Sequence, residues 1–365
     1  MTELLQHPEI RLGEPVQLAT GIHRLSLPMR ANPGHVNCYL LNDDNGLVIV
    51  DTGHRTDETR ALWTAVLDGP LASAGVRRIL LTHAHPDHAG NAQWLAERTG
   101  APVLLADAEM DALHRLWRGS VKQGPEVTAF FRRWGVPEDQ CVNILGMLGF
   151  FRHGCPALDC VTETLADGAL VHAAGRPWRV RFGSGHTPAN ATLLSDDGWL
   201  ISGDHLLPTI YPNISVWWGA ADNPLRDFLD SLDNFSGLPA TTTVLPSHGP
   251  MFRDLAGRIR DIRRFHARRL QRTLAFCRDE PRTAYESIVA VVNKPSVSPV
   301  IALIAGQVIA TLAWLEAERL LVRVDDRPLR FRAEPGAIER LRAQFAELAD
   351  DQVAVAAGDE DDGEE

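Results

Sequence analysis

Short apolar runs separated by turn residues dominate the N-terminal part of the chain. We predict strands over Val16–Met29, Val36–Asn42 and Leu47–Asp51, because these runs are divided by Asn-Pro-Gly and Asp-Asp-Asn-Gly turns. Glu58–Leu67 has the spacing of a helix, and Arg78–Thr82 is a short, apolar strand. This alternation of strand and helix predicts an α/β layered fold.

The alternating pattern stops at residues 107–160, which we interpret as a helical insertion. Bulky residues such as Phe131 and Trp134 fall at helical spacing in this stretch. Strand-like runs return from Leu170 to Leu245. We therefore expect one α/β domain over residues 16–252 that contains the insertion.

The rest of the chain predicts a separate C-terminal arrangement. An Arg-rich helix with an apolar stripe is expected over residues 253–280. Residues 281–348 then follow the order helix, helix, strand pair and helix, which predicts a small winged-helix-like module. Residues 349–365 are rich in Asp and Glu and predict a disordered acidic tail.

Composition narrows the class of protein. The chain has 365 residues, of which 45% are hydrophobic and 23% charged, as in ordinary globular proteins. The net charge is −11, but eight acidic residues lie in the predicted tail, so the body is close to neutral. No long apolar run predicts a membrane span. Five scattered cysteines without a Cys-x-x-Cys pair, and an N-terminus unlike a secretory signal, predict a reduced, cytoplasmic protein.

The most informative stretch is Thr82–His88, with the sequence T-H-A-H-P-D-H. Alternate residues of an extended segment point the same way, so His83 and His85 can meet one metal ion. The chain then turns into a predicted helix, where Asp87 and His88 can face a second ion. Imidazole and carboxylate are typical ligands of zinc and its neighbours. We therefore interpret this stretch as a metal site rather than a surface histidine cluster.

The same stretch resembles the signature His-x-His-x-Asp-His of the metallo-β-lactamase superfamily. Other motifs of that superfamily have matches in this chain in the expected order: Asp51-Thr52-Gly53, Gly185-His186-Thr187-Pro188, Ser202-Gly203-Asp204-His205 and Pro246-Ser247-His248-Gly249-Pro250. The resemblance implies an αββα sandwich with the site at one edge. It covers most of residues 16–335, although the C-terminal part rests on pattern rather than on a motif.

The resemblance also implies a ligand set for two metal ions, expected to be zinc, with iron or manganese as alternatives. In this set the first ion binds His83, His85 and His186, the second binds Asp87, His88 and His248, and Asp204 bridges them. A hydroxide between the ions would be the nucleophile. Asp87 is the expected catalytic residue that orients the water and passes its proton to the leaving group. Asp51 is expected to support the site.

Two departures from the family pattern bear on the substrate. Asn190 stands where many members continue the second motif with Gly-His, and we expect it to alter the wall of the site without removing a ligand. The secreted antibiotic-destroying branch typically has cysteine in place of Asp204, together with a signal peptide. The aspartate in place of that cysteine, and the N-terminus unlike a secretory signal, argue against β-lactams as the substrate.

Aromatic residues near the motifs are candidates for a substrate pocket. The segment after the bridging aspartate carries Tyr211, Asn213, Trp217 and Trp218, which are expected to line the pocket or to belong to the core. Phe131 and Trp134 of the insertion are expected to form an apolar lid. The alternatives are a helical hairpin packed on the body and a contact in a homodimer.

The sequence leaves three functions open. The first is a dinuclear zinc hydrolase that acts on an ester or thioester of a small molecule. The second is an endoribonuclease specific for single strands, because the winged-helix-like tail resembles the superfamily branch that contains the β-lactamase-like endoribonuclease and polyketide thioesterases. Hydroxyacylglutathione hydrolases elsewhere in the superfamily cleave thioesters with the same ligands. The third is a binding or regulatory protein with little turnover. The near-neutral body favours a small-molecule substrate over RNA.

Overall fold

The computed structural model describes residues 3–5, 10–30, 33–115, 124–154, 158–219, 221–291 and 301–346. The predicted acidic tail at 349–365 lies outside the described residues. Within them, no helix is long and apolar enough to cross a membrane.

Seven strands from the N-terminal half form the first sheet, in the order β2-β3-β4-β5-β6-β7-β8. The neighbours from β2 to β5 are antiparallel, and those from β5 to β8 are parallel. The strands are β2 (Val16–Ala19), β3 (Ile22–Pro28), β4 (His35–Asp43), β5 (Gly46–Val50), β6 (Val76–Leu80), β7 (Val103–Leu105) and β8 (Val161–Thr164).

The second sheet also has seven strands, in the order β1-β14-β13-β12-β11-β10-β9. Its pairs are antiparallel except β12 with β13, which run parallel. The strands are β1 (Glu3–Leu4), β9 (Leu170–Ala173), β10 (Arg176–Gly183), β11 (Asn190–Ser195), β12 (Trp199–Gly203), β13 (Thr243–Pro246) and β14 (Phe252–Arg253).

The two sheets pack face to face, and helices cover their outer faces. The helices beside the first sheet are α1 (Asp57–Leu67), α2 (Pro86–Ala89) and α3 (Ala92–Thr99), with a 3-10 turn at Pro70–Ala72. The remaining helices are α4 (Asp107–Leu113), α5 (Gly124–Arg133), α6 (Glu138–Gly154), α7 (Pro224–Ser231), α8 (Asp233–Ser236), α9 (Leu255–Phe276), α10 (Ile288–Val291), α11 (Ile301–Ala317) and α12 (Ala337–Gln344).

The strand β5 shows why this layering follows from the sequence. All five of its residues, G-L-V-I-V, are buried. Val48 and Val50 pack between the sheets in one cluster with Trp178 of β10. Leu47 and Ile49 face the other way and pack with Trp63 of α1. A strand that is apolar on both faces needs a layer on each side, so helix, sheet, sheet and helix form the αββα sandwich that the motif resemblance implies.

The helices α5 and α6 of the insertion pack against each other and against the body, as in the alternative of a hairpin packed on the body. Phe131 of α5 is fully buried, and it shares a hydrophobic cluster with residues of α7, α9 and α11. The ring of Trp134 stacks on Phe331 at 5.6 Å between centroids. The insertion therefore packs against the C-terminal part of the chain.

The first helix predicted within residues 281–348 is short in the structure. It is present as α10, and residues 284–287 form turns before it. The predicted strand pair is present as β15 (Leu321–Asp326) and β16 (Leu329–Ala333), which pair antiparallel. The winged-helix assignment of this module stays a prediction.

We predict that Trp134→Ala destabilises the protein and leaves substrate binding nearly unchanged. The ring stacks on Phe331 of β16, so its loss removes contact between the insertion and the C-terminal module. Trp134 is not among the residues that line the cavity of about 550 Å³ next to His85 and His186. The expected loss in the free energy of unfolding is about 2 kcal/mol, less than for a fully buried aromatic ring. Denaturant unfolding measures the change, with Trp134→Phe as the control that keeps an aromatic ring. A large rise in KM at unchanged stability would contradict this assignment.

Candidate metal centre

The site begins where the parallel strands β5 and β6 end side by side. Asp51 follows β5 directly, and its carboxylate accepts hydrogen bonds at 2.8 Å from both the backbone N–H and the hydroxyl of Thr82. The φ of Asp51 is 64°, a left-handed value that few residues other than glycine adopt. Such strain persists where the surroundings hold it, and it clusters at functional sites. Asp51 thus fixes the segment that leads into the histidine motif.

The motif residues leave β6 as an extended segment and then enter α2. Pro86 occupies the first turn of α2, where the missing N–H of proline costs nothing. His83 and His88 are fully buried, and the side chain of Asp87 is 17% exposed. The turn at Pro86 therefore separates the pair His83 and His85 from the pair Asp87 and His88, as the sequence predicts.

Two groups of possible ligands lie next to each other at this edge of the sandwich. Within each group the ligand atoms lie within 4.8 Å of one another. The first group is His83, His85, His186 and Asp204, and the second is Asp87, His88 and His248. All seven side chains that the sequence nominates as ligands meet here.

Asp204 faces both groups with its two carboxylate oxygens. Its Oδ2 lies 3.3 Å from Nε2 of His186 and 4.0 Å from Nε2 of His83. Its Oδ1 lies 3.3 Å from Nε2 of His88 and 3.4 Å from Nε2 of His248. One oxygen directed at each group is the geometry of a bridging carboxylate.

Hydrogen bonds on the opposite ring nitrogens orient the histidines. Nδ1 of His88 lies 2.8 Å from Asp51, and Nδ1 of His186 lies 2.9 Å from the carbonyl of Asn213. Nδ1 of His248 lies 3.0 Å from the carbonyl of His35. Such partners fix the tautomer and leave Nε2 as the lone-pair nitrogen for a metal.

The electrostatics of the site suit metal ligation. Burial lowers the pKa of His85 to about 3 and the pKa of His83 well below its usual value, so both imidazoles are neutral. Burial acts to raise the pKa of Asp87 and Asp204, but the charge of His88, together with charge and hydrogen bonds from neighbouring histidines, outweighs it, and both pKa values lie well below normal. Burial acts to lower the pKa of His88 and His248, but the carboxylates of Asp87 and Asp204 raise the pKa of both rings above normal, so a metal ion would replace a proton there. Neutral imidazoles and ionised carboxylates are the forms that bind metals.

Residues of this kind fit one or two divalent ions. The Nε2 atoms of His88 and His186 are buried and make no hydrogen bond of proper geometry within the described residues. Buried polar atoms without a partner are costly, and both point at the Asp204 carboxylate. A metal ion between each imidazole and that carboxylate would satisfy them, and nitrogen and oxygen donors match zinc.

Two buried polar side chains, Asn190 and Glu109, hold the backbone next to the ligands by hydrogen bonds. Asn190 is fully buried: its Oδ1 accepts the N–H of Asp204 at 3.2 Å and its Nδ2 donates to the carbonyl of Ser202 at 3.1 Å. Gly203 lies between them with a φ of 54°, and a Cβ there would lie 2.9 Å from Oδ1 of Asn190. The expectation that Asn190 alters the site wall is therefore corrected, because it holds the backbone of the bridging aspartate instead.

Glu109 of α4 is a supporting residue that the sequence reasoning missed. Its carboxylate is 1% exposed and accepts the N–H of Ala84 at 3.1 Å and the N–H of Ala189 at 2.8 Å. It thereby joins the loop of His85 to the loop of His186. Burial raises the pKa of this carboxyl, and the backbone hydrogen bonds act against that shift. No motif marks Glu109, since it is one acid among several in a polar helix.

A cavity of about 550 Å³ opens beside the first group of ligands, with His85 and His186 in its lining. Its apolar walls come from α4, α6 and the segment before α7, including Leu113, Leu148 and Trp217. Of the predicted pocket residues, Trp217 alone lines this cavity.

The other predicted pocket residues lie elsewhere. Tyr211 stacks on Phe265 of α9 at 3.7 Å between centroids. Trp218 packs against the hydrophobic cluster that contains Phe131 and residues of α7, α9 and α11. The rings of Phe131 and Trp217 are in contact, with 6.2 Å between their centroids. Asn213 acts through its carbonyl on His186. The predicted lid by Phe131 and Trp134 is therefore corrected: the insertion covers the cavity through Leu113 and Leu148.

Comparison with known families agrees with this geometry. The family model of the metallo-β-lactamase superfamily matches residues 31–248, which contain both ligand groups. The chain belongs to the metallo-β-lactamase superfamily. Its fold, with two packed sheets and the histidine and aspartate site at their edge, is the one that the motifs imply.

Individual relatives extend the similarity. The crystal structure of a β-lactamase domain protein from Burkholderia ambifaria is 29% identical, with a TM-score of 0.82 over 91% of this chain and 98% of that chain. A β-lactamase hydrolase-like protein from Xylella fastidiosa (strain 9a5c) is 26% identical over 176 residues, 47% of this chain. A metal-dependent hydrolase from Rhizobium leguminosarum is 54% identical over 48 residues, 13% of this chain. The chain spans 33% and 18% of the length of these two curated relatives.

We predict that Glu109→Gln weakens metal binding. An amide retains one acceptor oxygen, so its NH2 group would face one of the two backbone donors that now bind the carboxylate. Loss of such an outer support typically costs 10–100-fold in metal affinity. Competition for Zn²⁺ against a chelator measures the change, with Glu97→Gln on the exposed face of α3 as the control. Unchanged affinity in Glu109→Gln would contradict the supporting role.

Proposed function

We propose that this protein is a zinc-dependent hydrolase with two ions per chain, acting on an ester or thioester of a small molecule. The observation that carries the proposal is the Asp204 carboxylate, which directs one oxygen at each ligand group. The family assignment supports hydrolysis, as does the Rhizobium relative, which is named a metal-dependent hydrolase. Iron or manganese in place of zinc is the alternative for the metal.

The proposed division of labour follows from the positions of the side chains. Two divalent ions would supply Lewis acidity, which polarises an acyl carbonyl and lowers the pKa of water. His83, His85 and His186 would hold one ion, Asp87, His88 and His248 the other, and Asp204 both. Asp87 stays ionised at neutral pH, and its Oδ2 lies 3.3 Å from Nε2 of His248. We assign to Asp87 the orientation of the attacking water and the transfer of its proton to the leaving group.

The cavity supports a small, partly apolar substrate. A volume of about 550 Å³ is in the usual range for small-molecule sites. Leu148 and Trp217 offer apolar surface near His186, where an acyl chain can be shielded from water while its carbonyl reaches the metal site. Two carboxylates of α7, Asp227 and Asp230, line the cavity. Among the described lining residues, Arg115 is the one arginine or lysine.

The charge of the site weighs against RNA. Asp227 and Asp230 make no ion pair within the described residues, and burial together with the Asp230 carboxylate raises the pKa of Asp227. Two carboxylates at the cavity repel phosphodiesters. RNA as substrate is therefore the weaker candidate.

Four arginines of α9 make internal contacts. Arg258 is buried and donates to the carbonyls of Leu207 and Ile210, each at 2.7 Å. Arg263 and Arg264 pair with aspartates at 2.8 and 2.9 Å, and Arg269 donates to Gln307 at 2.7 Å. These contacts favour a structural role for the helix over a phosphate-binding face.

The cellular setting and assembly also stay proposals. Four cysteines of the described residues are free, namely Cys38, Cys141, Cys160 and Cys277, as expected of a reducing compartment. We keep the cytoplasm as the proposed location and a homodimer as an option for assembly.

The metal content tests the dinuclear site. Seven ligands exceed what one tetrahedral ion uses, so elemental analysis of protein purified without chelator should give a ratio near two ions per chain. Zinc-loaded protein should hydrolyse p-nitrophenyl butyrate and a butyryl thioester, and Asp204→Ala should abolish this while circular dichroism stays unchanged. A ratio at or below one in zinc-replete buffer, or cleavage of RNA without ester hydrolysis, would refute the proposal.

We predict that the carboxylates of Asp227 and Asp230 on α7 weaken the binding of anionic substrates. Asp227→Asn combined with Asp230→Asn should lower KM for a carboxylate-bearing p-nitrophenyl ester by roughly threefold, because repulsion between partly screened charges is modest. KM for the neutral p-nitrophenyl butyrate should not change. Asp196→Asn with Asp222→Asn removes the same charge from exposed positions that do not line the cavity. An equal effect in this control pair would show that net charge alone acts.

A further inference from the structure

A short segment before α7 connects the metal site to the cavity. We call Asn213–Trp217 the wall segment. At its start, the carbonyl of Asn213 lies 2.9 Å from Nδ1 of His186 and accepts its hydrogen bond. At its other end, Trp217 lines the cavity. Between these ends Ile214 and Val216 are buried in the cluster that includes α11. Any displacement of the wall segment would therefore change the orientation of His186 and also shift the cavity wall at Trp217.

Helix α11 of the C-terminal module holds this segment by hydrogen bonds. The N–H of Val216 donates to the carbonyl of Gly306 at 3.0 Å. The hydroxyl of Ser215 shares its one proton between Oδ1 of Asn213 and the carbonyl of Leu303, which lies 3.3 Å away. These bonds join two parts of the chain that the sequence pattern separates into different modules.

The close approach depends on the missing side chain at Gly306. A Cβ at this position would lie 2.8 Å from Cβ of Ser215, 3.1 Å from its Oγ and 3.3 Å from the carbonyl oxygen of Val216. Contacts below 3.0 Å force a shift, and here the obstacles include the backbone of the wall segment. Glycine weakens a helix interior relative to alanine, so the helix alone would not favour it. The wall segment supplies the reason for glycine.

We propose that Gly306 is a positioning residue of the active site, because its bare backbone lets α11 seat the wall segment that orients His186 and presents Trp217 to the substrate. The C-terminal module is then part of the active site rather than an appended binding domain. The kinetic part of this inference rests on the proposed ester hydrolysis, whereas the metal-binding part does not.

The variant Gly306→Ala tests the proposal with two readouts. Pushing the wall segment away should loosen the hydrogen bond on His186, and Zn²⁺ affinity measured by chelator competition should fall by about tenfold. KM for p-nitrophenyl butyrate should rise by roughly threefold with a smaller change in kcat, as expected when ground-state binding is lost. Gly146→Ala is the matched control, because Gly146 also lies in a helix but a Cβ there meets open space.

A compensating change separates positioning from general disruption. Ser215→Gly removes the Cβ and hydroxyl that the new methyl group would strike, so the double variant Ser215→Gly with Gly306→Ala should return close to the values of Ser215→Gly alone. Such non-additivity is the signature of residues in direct contact. Additive effects of the two substitutions would overturn the proposal, as would a Gly306→Ala protein that matches Gly146→Ala in both readouts.

The outcomes remain informative if other steps fail. Should Gly306→Ala not fold, as judged by circular dichroism, Ser215→Ala removes the hydroxyl's bonds to Leu303 and to Oδ1 of Asn213, whereas Asn213→Ala removes the second bond alone. A lower Zn²⁺ affinity in Ser215→Ala than in Asn213→Ala would support the proposal, and equal affinity in the two variants would overturn it. If the wild-type protein hydrolyses no ester, the proposed function fails, and the Zn²⁺ competition still decides the role of Gly306.

Discussion

One buried carboxylate organises this molecule. Asp204 brings its two oxygens to within 3.3–3.4 Å of imidazole nitrogens from both ligand groups. An ionised group removed from water is costly unless it is paired and hydrogen-bonded. The surrounding structure supplies these partners: Ser247 donates a hydroxyl to the same carboxylate, and Asn190 holds its backbone N–H. The groups that compensate this carboxylate come from both sheets, so both must be in place before it can be buried.

The site requires both sheets at once. His83 and Asp51 extend from the parallel strands of the first sheet, whereas Asp204 and His248 follow β12 and β13 of the second sheet. The ring of His248 is in turn oriented by the carbonyl of His35, which begins β4. The apolar layer between the sheets therefore does more than stabilise the fold, since it sets the distance across which the two ligand groups meet.

The regions added to the sandwich shape the space beside the metal site. The insertion contributes Leu113 and Leu148 to the cavity, and α11 seats the segment that ends in Trp217. Phe131 and Trp134, expected to form the lid, lie behind this surface and join the insertion to the C-terminal module. Apolar residues at helical spacing show that a face is buried but not what it is buried against, so periodicity could not separate a lid from a core.

Strand patterns and the dense histidine motif are local signals, so they indicated the layered α/β class and the four motif residues His83, His85, Asp87 and His88. The other three candidate ligands, His186, Asp204 and His248, were expected only from the family resemblance. The sequence pattern missed β8, whose residues V-T-E-T are mostly exposed and carry no apolar alternation. It also missed Glu109 and Gly306, which act on residues far away in the chain: Glu109 binds Ala189, and Gly306 receives Val216. These contacts are visible in the folded chain alone, since a hydrogen bond or a close backbone contact depends on which distant segments the packing brings together.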